Sequence, residues 1–369
     1  MKKLNNIKKY NIFIFFTTFA RVLVETFIPI ILHNQGYSLN SILIFLMVSF
    51  LIIIILTPIV SFIGRKIGFK WLIFLSAFLF VLMYYLLLSK PNLYLLAFLY
   101  STNISLFYLS KHNYTAAIID NKKMGSKIGG FMIAGMIAGI PAGYIGAVFL
   151  NRLSVPIIIS LVLIIYLIGV IPIKTVKIST HTHPKVFKTL IKIPKKNLLF
   201  FALTQFKIIL FFLYPLYVFI FVRSQYRYIG LLSVIVGIAS MLFVYFNGRL
   251  MDKKKSDFML IAALFLSLIM FIQVRFATAT LLLFTAFFEG LSTKMYEMSI
   301  SRDLYFFDKK LDQTCYFIVF EVLNNIVKLL IVFMLFIFKL DLTASLYILI
   351  IGVFISGFIK YQNPKIKSS

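Results

Sequence analysis

Apolar runs of about 20 residues, separated by short polar breaks, recur along the whole chain. A run of that length crosses the hydrocarbon core of a bilayer as an α-helix, which satisfies its own backbone hydrogen bonds there. Twelve spans are read, at roughly 10–32, 40–63, 70–88, 93–110, 128–150, 154–173, 198–222, 229–248, 258–274, 279–299, 314–338 and 341–360. The fold class is therefore all-α integral membrane. Breaks such as His33–Leu39, Ser89–Asn92 and Asn151–Leu153 are too short for anything but antiparallel neighbours. The longest break, Lys174–Asn197, divides the spans six and six. Residues 1–173 are read as one six-helix bundle, 174–197 as a basic linker and 198–369 as a second bundle. Within the linker Val186, Phe187, Leu190, Ile191 and Ile193 alternate with lysines, a pattern open to a surface amphipathic helix or a solvated tether.

Composition agrees with this class: 61% of residues are hydrophobic, and the mean hydropathy is +0.99. The net charge of +27 changes the picture only through its placement. Most of the 38 Lys and Arg fall in breaks on the N-terminal side of the spans. That bias predicts both termini in the cytoplasm of a multi-pass protein of the cytoplasmic membrane, with its basic face against anionic headgroups and not nucleic acid. Lys2, Lys3, Lys8 and Lys9 precede an apolar run too long for a signal core, so the first span is read as retained. The lone Cys315 leaves no internal disulfide to form, and His181 and His183 have no further ligand nearby, so neither metal nor cofactor is expected.

Polar stripes interrupt the apolar spans. Ionisable groups at membrane depth are costly and usually face a partner or a water-filled path. Six are read there: Arg21, Glu25, Lys207, Glu289, Glu321 and Lys328. Arg21 and Glu25 stand four apart, spaced either for a structural pair or for a pathway face. Span four adds Ser101, Asn103 and Ser105. Thr204, Lys207 and Tyr214 share a face of span seven, as do Thr285, Glu289 and Ser292 of span ten. Span eleven carries the clearest stripe, Glu321, Asn324, Asn325 and Lys328 at i, i+3, i+4, i+7. Glu321 and Lys328 are too far apart to pair on one helix. Lys207 or Arg21 is expected to serve Glu321, and Glu289 or Glu25 to serve Lys328. Glu289 has no opposite charge within one turn, and is the foremost candidate for carrying a proton or touching a solute. In span five Gly135, Gly139 and Gly143, with Ala138, Ala142 and Gly146 alongside, predict close approach of another helix, and Pro141 predicts a bend.

Two charged loops lie about half the chain apart. The first is Ser61-Phe62-Ile63-Gly64-Arg65-Lys66-Ile67-Gly68-Phe69-Lys70; the second runs from Gly248 through Arg249, Leu250, Met251, Asp252 and Lys253 to Asp257. They resemble the loop between the second and third helices of major facilitator superfamily transporters and its repeat in the second half. The second copy keeps Gly248, Asp252 and Lys253. The first keeps Lys66 and Gly68, with Ser61 and Arg65 where the family has Gly and Asp. The same shift lays Lys207 beside Arg21 and Gly290 on Asn103, as expected of a duplicated unit. The resemblance implies two pseudo-symmetric six-helix bundles around a central path lined by spans one, four, seven and ten, with eleven nearby. It also implies that Lys66, Gly68, Gly248, Asp252 and Lys253 form a conformational latch. Gly139-Ile140-Pro141-Ala142-Gly143 loosely resembles a fifth-helix signature of drug antiporters, which implies export.

The expected function is secondary active transport of a small solute, coupled to protons through Glu289, Glu25 or Glu321. A transporter-like sensor or scaffold is the alternative, because Arg65 cannot make the family's acidic contact. An enzyme is not expected. No nucleotide-binding loop or metal-ligand spacing occurs, and none of the four histidines (His33, His112, His181, His183) has a suitable carboxylate nearby in sequence.

Overall fold

The computed structural model describes residues 2–89, 92–118, 124–176, 195–247, 258–305 and 313–361. All regular elements among them are helical. They are α1 (Lys2–Glu25), α2 (Ile28–Asn34), α3 (Leu39–Ile67), α4 (Phe69–Leu88), α5 (Leu93–Ile118), α6 (Met124–Arg152) and α7 (Val155–Val170), which ends in a 3₁₀ turn (Ile171–Thr175). After the linker come α8 (Lys195–Leu203), α9 (Gln205–Phe221), α10 (Tyr226–Asn247), α11 (Met259–Arg275), α12 (Ala279–Tyr305), α13 (Gln313–Ile337) and α14 (Leu342–Tyr361). Ten stretches among the described residues are long and apolar enough to cross a membrane, with α1 and α2 counted as one. The apolar α11 is shorter than these, and α12 stands at the place of the tenth of the twelve spans read from the sequence without being among the ten.

Local chemistry sets the helix ends. The Ser38 hydroxyl caps α3 by accepting from the Ser41 amide, and the Asp341 carboxylate caps α14 by accepting from Ala344 at 2.6 Å. Gly68, at φ +97°, closes α3 and opens α4 in a backbone conformation that side chains rarely adopt. Span one breaks at Thr26–Phe27, ahead of Pro29 in the first turn of α2. Span seven breaks at Thr204, whose hydroxyl turns back to the Phe201 carbonyl at 2.6 Å. The helix α6 runs unbroken through Pro141.

Packing repeats between the halves. In the first, α1 packs on α6 and α7, α5 on α3 and α4, and α4 on α7. In the second, α9 packs on α13 and α14, α12 on α10 and α11, and α11 on α14. The halves meet along α6–α10 and α3–α13, which are equivalent pairs under the same repeat. The sequence-based boundary falls in a linker of which 177–194 lie outside the described residues. Outward faces are apolar: Ile55, Phe78, Leu268 and Phe284 are each more than half exposed, as suits side chains in lipid.

Small residues set the closest helix approaches, though not where the sequence stripe centres them. A Cβ on Gly139 would have no neighbour nearer than Val22 at 3.8 Å, and one on Gly135 would meet Ile14 at 3.5 Å. Those are ordinary contacts, so Gly135 and Gly139 do not hold α6 tightly to α1. Tight positions against a neighbouring backbone include Gly146, where a Cβ would lie 2.2 Å from the Leu23 carbonyl oxygen, and Gly290, 2.3 Å from the Val236 carbonyl oxygen. Gly143 is intermediate, 3.0 Å from Ser233 on α10. The helices diverge toward the middle of the bundle, which opens space along the Gly135–Gly139 face.

Candidate functional site

That space is the first lobe of a central cavity, about 580 Å³ in volume, between α1, α5 and α6 of one half and α9, α10 and α12 of the other. Gly135, Gly139 and Met136 wall one side, Tyr214 and Val236 another, and Glu289 faces in from α12. A second lobe of about 590 Å³ lies between α1, α3 and α5 and α9, α12 and α13. The two share Thr26, Lys111, Phe211, Glu297 and Ser301.

Arg21 is 3% exposed and lines neither lobe. Its guanidinium donates to the Glu25 carboxylate at 2.5 Å and to the Asn103 side-chain oxygen. It also lies over the Phe107 ring at 4.0 Å. Asn103 in turn donates to the Ser76 carbonyl at 2.5 Å. Asn103 is thus a positioning residue behind Arg21, and Glu25 is the member of the group that reaches the second lobe. The stripe on α13 is brought together there as a unit: Glu321, Asn324, Asn325 and Lys328 all line the second lobe.

The expected charge partners are not the observed ones. Glu321 is met by His112 Nε2 of α5 at 3.1 Å, not by Lys207 or Arg21. Lys328 Nζ donates to Asn325 Oδ1 at 3.4 Å, and no ion pair joins it to Glu289 or Glu25. Lys207 instead donates to Glu297 at 2.6 Å, and Glu297 takes a second lysine, Lys294, at 2.5 Å. His112 and Lys111 escape the sequence reading because span four is drawn too short, whereas Lys294 and Glu297 fall within span ten but near its end, where charge is expected to face solvent. The helix α5 continues to Ile118, so Lys111 and His112 sit inside a helix and not in a loop, and α12 continues to Tyr305, so Lys294 and Glu297 stand well before its end. The face of α12 is also corrected. Glu289, Thr293, Glu297 and Ser301 line the cavity, whereas Thr285 and Ser292 do not. Thr285 instead accepts from Gln273 of α11 at 3.1 Å.

Glu289 is 5% exposed and accepts from Gln273 Nε2 at 3.0 Å. Of the four carboxylates lining the cavity among the described residues it is the buried one and the one with no cation within 4.0 Å; the partly exposed Glu25 and Glu321 each have one and Glu297 has two. A buried carboxylate with a neutral donor and no counter-charge is most stable as the protonated acid, and ionises when water or a cation reaches it.

Both ends of the cavity carry contacts between the halves. At the end away from the termini Phe27 packs edge-on against Tyr226, which also meets Phe219, and Asn34 donates to the Tyr226 hydroxyl at 2.8 Å. At the end that carries Lys2 and Tyr361 the contacts are polar. Thr314 donates to Asn113 at 2.7 Å, Arg65 Nη2 lies 3.3 Å from Cys315 Sγ, and His112 meets Glu321. Lys66 is exposed beside this seam and Gly68 turns the α3–α4 connection. The remaining latch residues, Gly248, Asp252 and Lys253, lie outside the described residues, as do His181 and His183. No group of His, Cys, Asp and Glu suited to a metal ion occurs among the described residues.

Residues 11–301 match the family described as Major Facilitator Superfamily. No curated protein matches the chain.

Proposed function

The chain belongs to the Major Facilitator Superfamily, a membrane transporter family, and from that premise we propose that it is a proton-coupled secondary transporter of a small organic solute. The solute occupies the central cavity and the two halves rock about it, along the α6–α10 and α3–α13 contacts. The observation that carries the proton reading is Glu289, buried on the cavity wall with Gln273 as its neutral donor and no cation at hand. Protonated, it is tolerated in the closed cavity. Opened to water on the far side, it releases the proton, and the conformational cycle ties that release to solute movement. Glu25 and Glu321 are weaker candidates, since Arg21 and His112 already hold them. We place the chain in the cytoplasmic membrane with the end carrying the termini in the cytoplasm, because the excess Lys and Arg lie on that side.

The test is a solute screen in proteoliposomes with an imposed proton gradient. The direction of gradient-driven movement distinguishes uptake from the efflux that the α6 motif favours. Glu289→Gln should abolish gradient-driven accumulation of the transported solute while leaving solute-for-solute exchange measurable. Full gradient-driven accumulation in that variant would remove Glu289 from the proton path. A folded wild-type protein that moves no solute would favour the non-transporting sensor, for which Arg65 in the first loop speaks.

A further inference from the structure

The charges around the second lobe are unevenly matched. Glu25 is held by Arg21, Glu321 by His112, and Glu297 by two lysines at once. Two cations remain that line this lobe and have no carboxylate oxygen within 4.0 Å among the described residues: Lys111 of α5 and Lys328 of α13. Each lies near an aromatic ring, Lys111 at 5.5 Å from the Tyr108 centroid and Lys328 at 5.6 Å from Phe50. Neither ring neutralises a full charge. Glu321, two turns from Lys328 on α13, is already met by His112. Lys111 also borders both lobes, next to the overfilled Lys207–Glu297–Lys294 group.

An unmatched ammonium at membrane depth is expensive unless something charged visits it. Much of the rest of the second lobe is apolar, with aromatic rings such as Tyr100, Tyr108, Phe212 and Phe320 among aliphatic side chains, and Asn324 and Asn325 add neutral polar groups. We infer that the second lobe is an anion site, and that the solute is an organic anion whose carboxylate, sulfonate or phosphate sits between Lys111 and Lys328 and whose apolar body packs on the aromatic walls. This rests on the reading of the cavity as the solute site, and it adds the sign of the solute's charge. The proton site and the anion site are then in different lobes, so a solute bound at Lys111 does not itself neutralise Glu289.

Binding is measured on the purified full chain in detergent, by thermal unfolding and equilibrium titration, and needs no transport. The probes are 3-phenylpropanoate, benzenesulfonate and phenyl phosphate, with longer-chain homologues of each. The controls are the cation phenethylamine, the neutral 3-phenylpropanol, and phosphatidylglycerol as an anionic lipid. Saturable binding of soluble anions, with none of the cation or the alcohol, is expected. Lys111→Met should weaken it about tenfold or more, the loss of one charge-assisted contact. Lys111→Arg should recover it, and Lys174→Met, at an exposed position, should leave it unchanged. The inference is overturned if no soluble anion binds, if the cation binds instead, if only phosphatidylglycerol binds, or if a folded Lys111→Met/Lys328→Met protein keeps wild-type anion affinity. Anion binding without proton-driven movement would sink the coupling reading and leave this one standing. Proton-driven movement of cations alone would do the reverse.

Discussion

Replacing Gly146 by Ala adds one methyl group at the place where α6 lies closest to α1. The built Cβ falls 2.2 Å from the Leu23 carbonyl oxygen and 2.8 Å from its carbonyl carbon. Ordinary Cβ contacts begin near 3.4 Å, so the two backbones must separate by about 1 Å, since a carbonyl cannot rotate aside as a side chain can. Overpacking of this kind costs about 1–3 kcal/mol, and a backbone obstacle puts the cost near the upper figure. Ala is a better helix former than Gly by about 1 kcal/mol, which leaves a net loss of about 2 kcal/mol. The displaced segment of α1 is two residues from Arg21, so the Arg21–Asn103 hydrogen bond is strained as well. Gly139→Ala is the internal control: nothing lies within 3.8 Å of its Cβ, and the same helix term makes it neutral or slightly stabilising. The assay is thermal unfolding of both variants, followed by size-exclusion chromatography in detergent. A midpoint lowered by several degrees is expected for Gly146→Ala, with Gly139→Ala at or above wild type. Wild-type stability in Gly146→Ala together with a lowered midpoint in Gly139→Ala would refute the assignment of the tight contact.

Glu297→Gln should leave Lys207 and Lys294 facing each other without a carboxylate and lower stability by about 1–2 kcal/mol; the usual loss for a broken buried pair is reduced because the Glu297 side chain is 37% exposed. Adding Lys207→Met should restore part of that loss in the same melting assay, and a purely additive double mutant would contradict the pairing. In the second loop, Asp252→Asn should cut vesicle transport several-fold at normal membrane abundance, while Arg65→Ala should matter less; the opposite ranking would reverse the latch assignment. In a Cys315→Ser background, Asn324→Cys and Asn325→Cys should react with a membrane-impermeant thiol reagent from one side of the membrane, and a label at neither position would remove α13 from the pathway.

Most of the fold is legible in the sequence because bilayer crossing demands a coarse signal, apolar length, that no single residue can hide. The stripe on α13 is legible for a related reason: four polar groups on one face of an apolar helix have few places to go. The partners of those groups are not legible. His112 meets Glu321 across 209 positions, and nothing local to either residue announces the other. Lys111 is hidden by a boundary, since a charge just past an apolar run reads as loop although α5 continues to Ile118, and Lys294 and Glu297, inside span ten but near its end, read as groups facing solvent although they line the cavity. The small-residue stripe on α6 shows a third limit. Spacing marks Gly135, Gly139, Gly143 and Gly146 as one feature, but which of them touches a neighbour depends on how the helices splay, which is a property of the whole bundle.

The contacts between the halves at the two ends of the cavity rest on different forces, and this makes them answerable to different variables. Apart from one hydrogen bond, the Phe27–Tyr226–Phe219 contact is aromatic surface removed from water, so separating it carries a heat-capacity change and its strength varies with temperature. The Thr314–Asn113, Arg65–Cys315 and His112–Glu321 contacts are polar or charged, so separating them draws in water and dissolved ions and responds to salt. Warming and salting are then not interchangeable ways of loosening this molecule. Each acts chiefly on one end of the cavity, and a pair of distance probes, one at each end, followed while the two variables are changed separately, would read the proposed rocking of the halves from two independent directions.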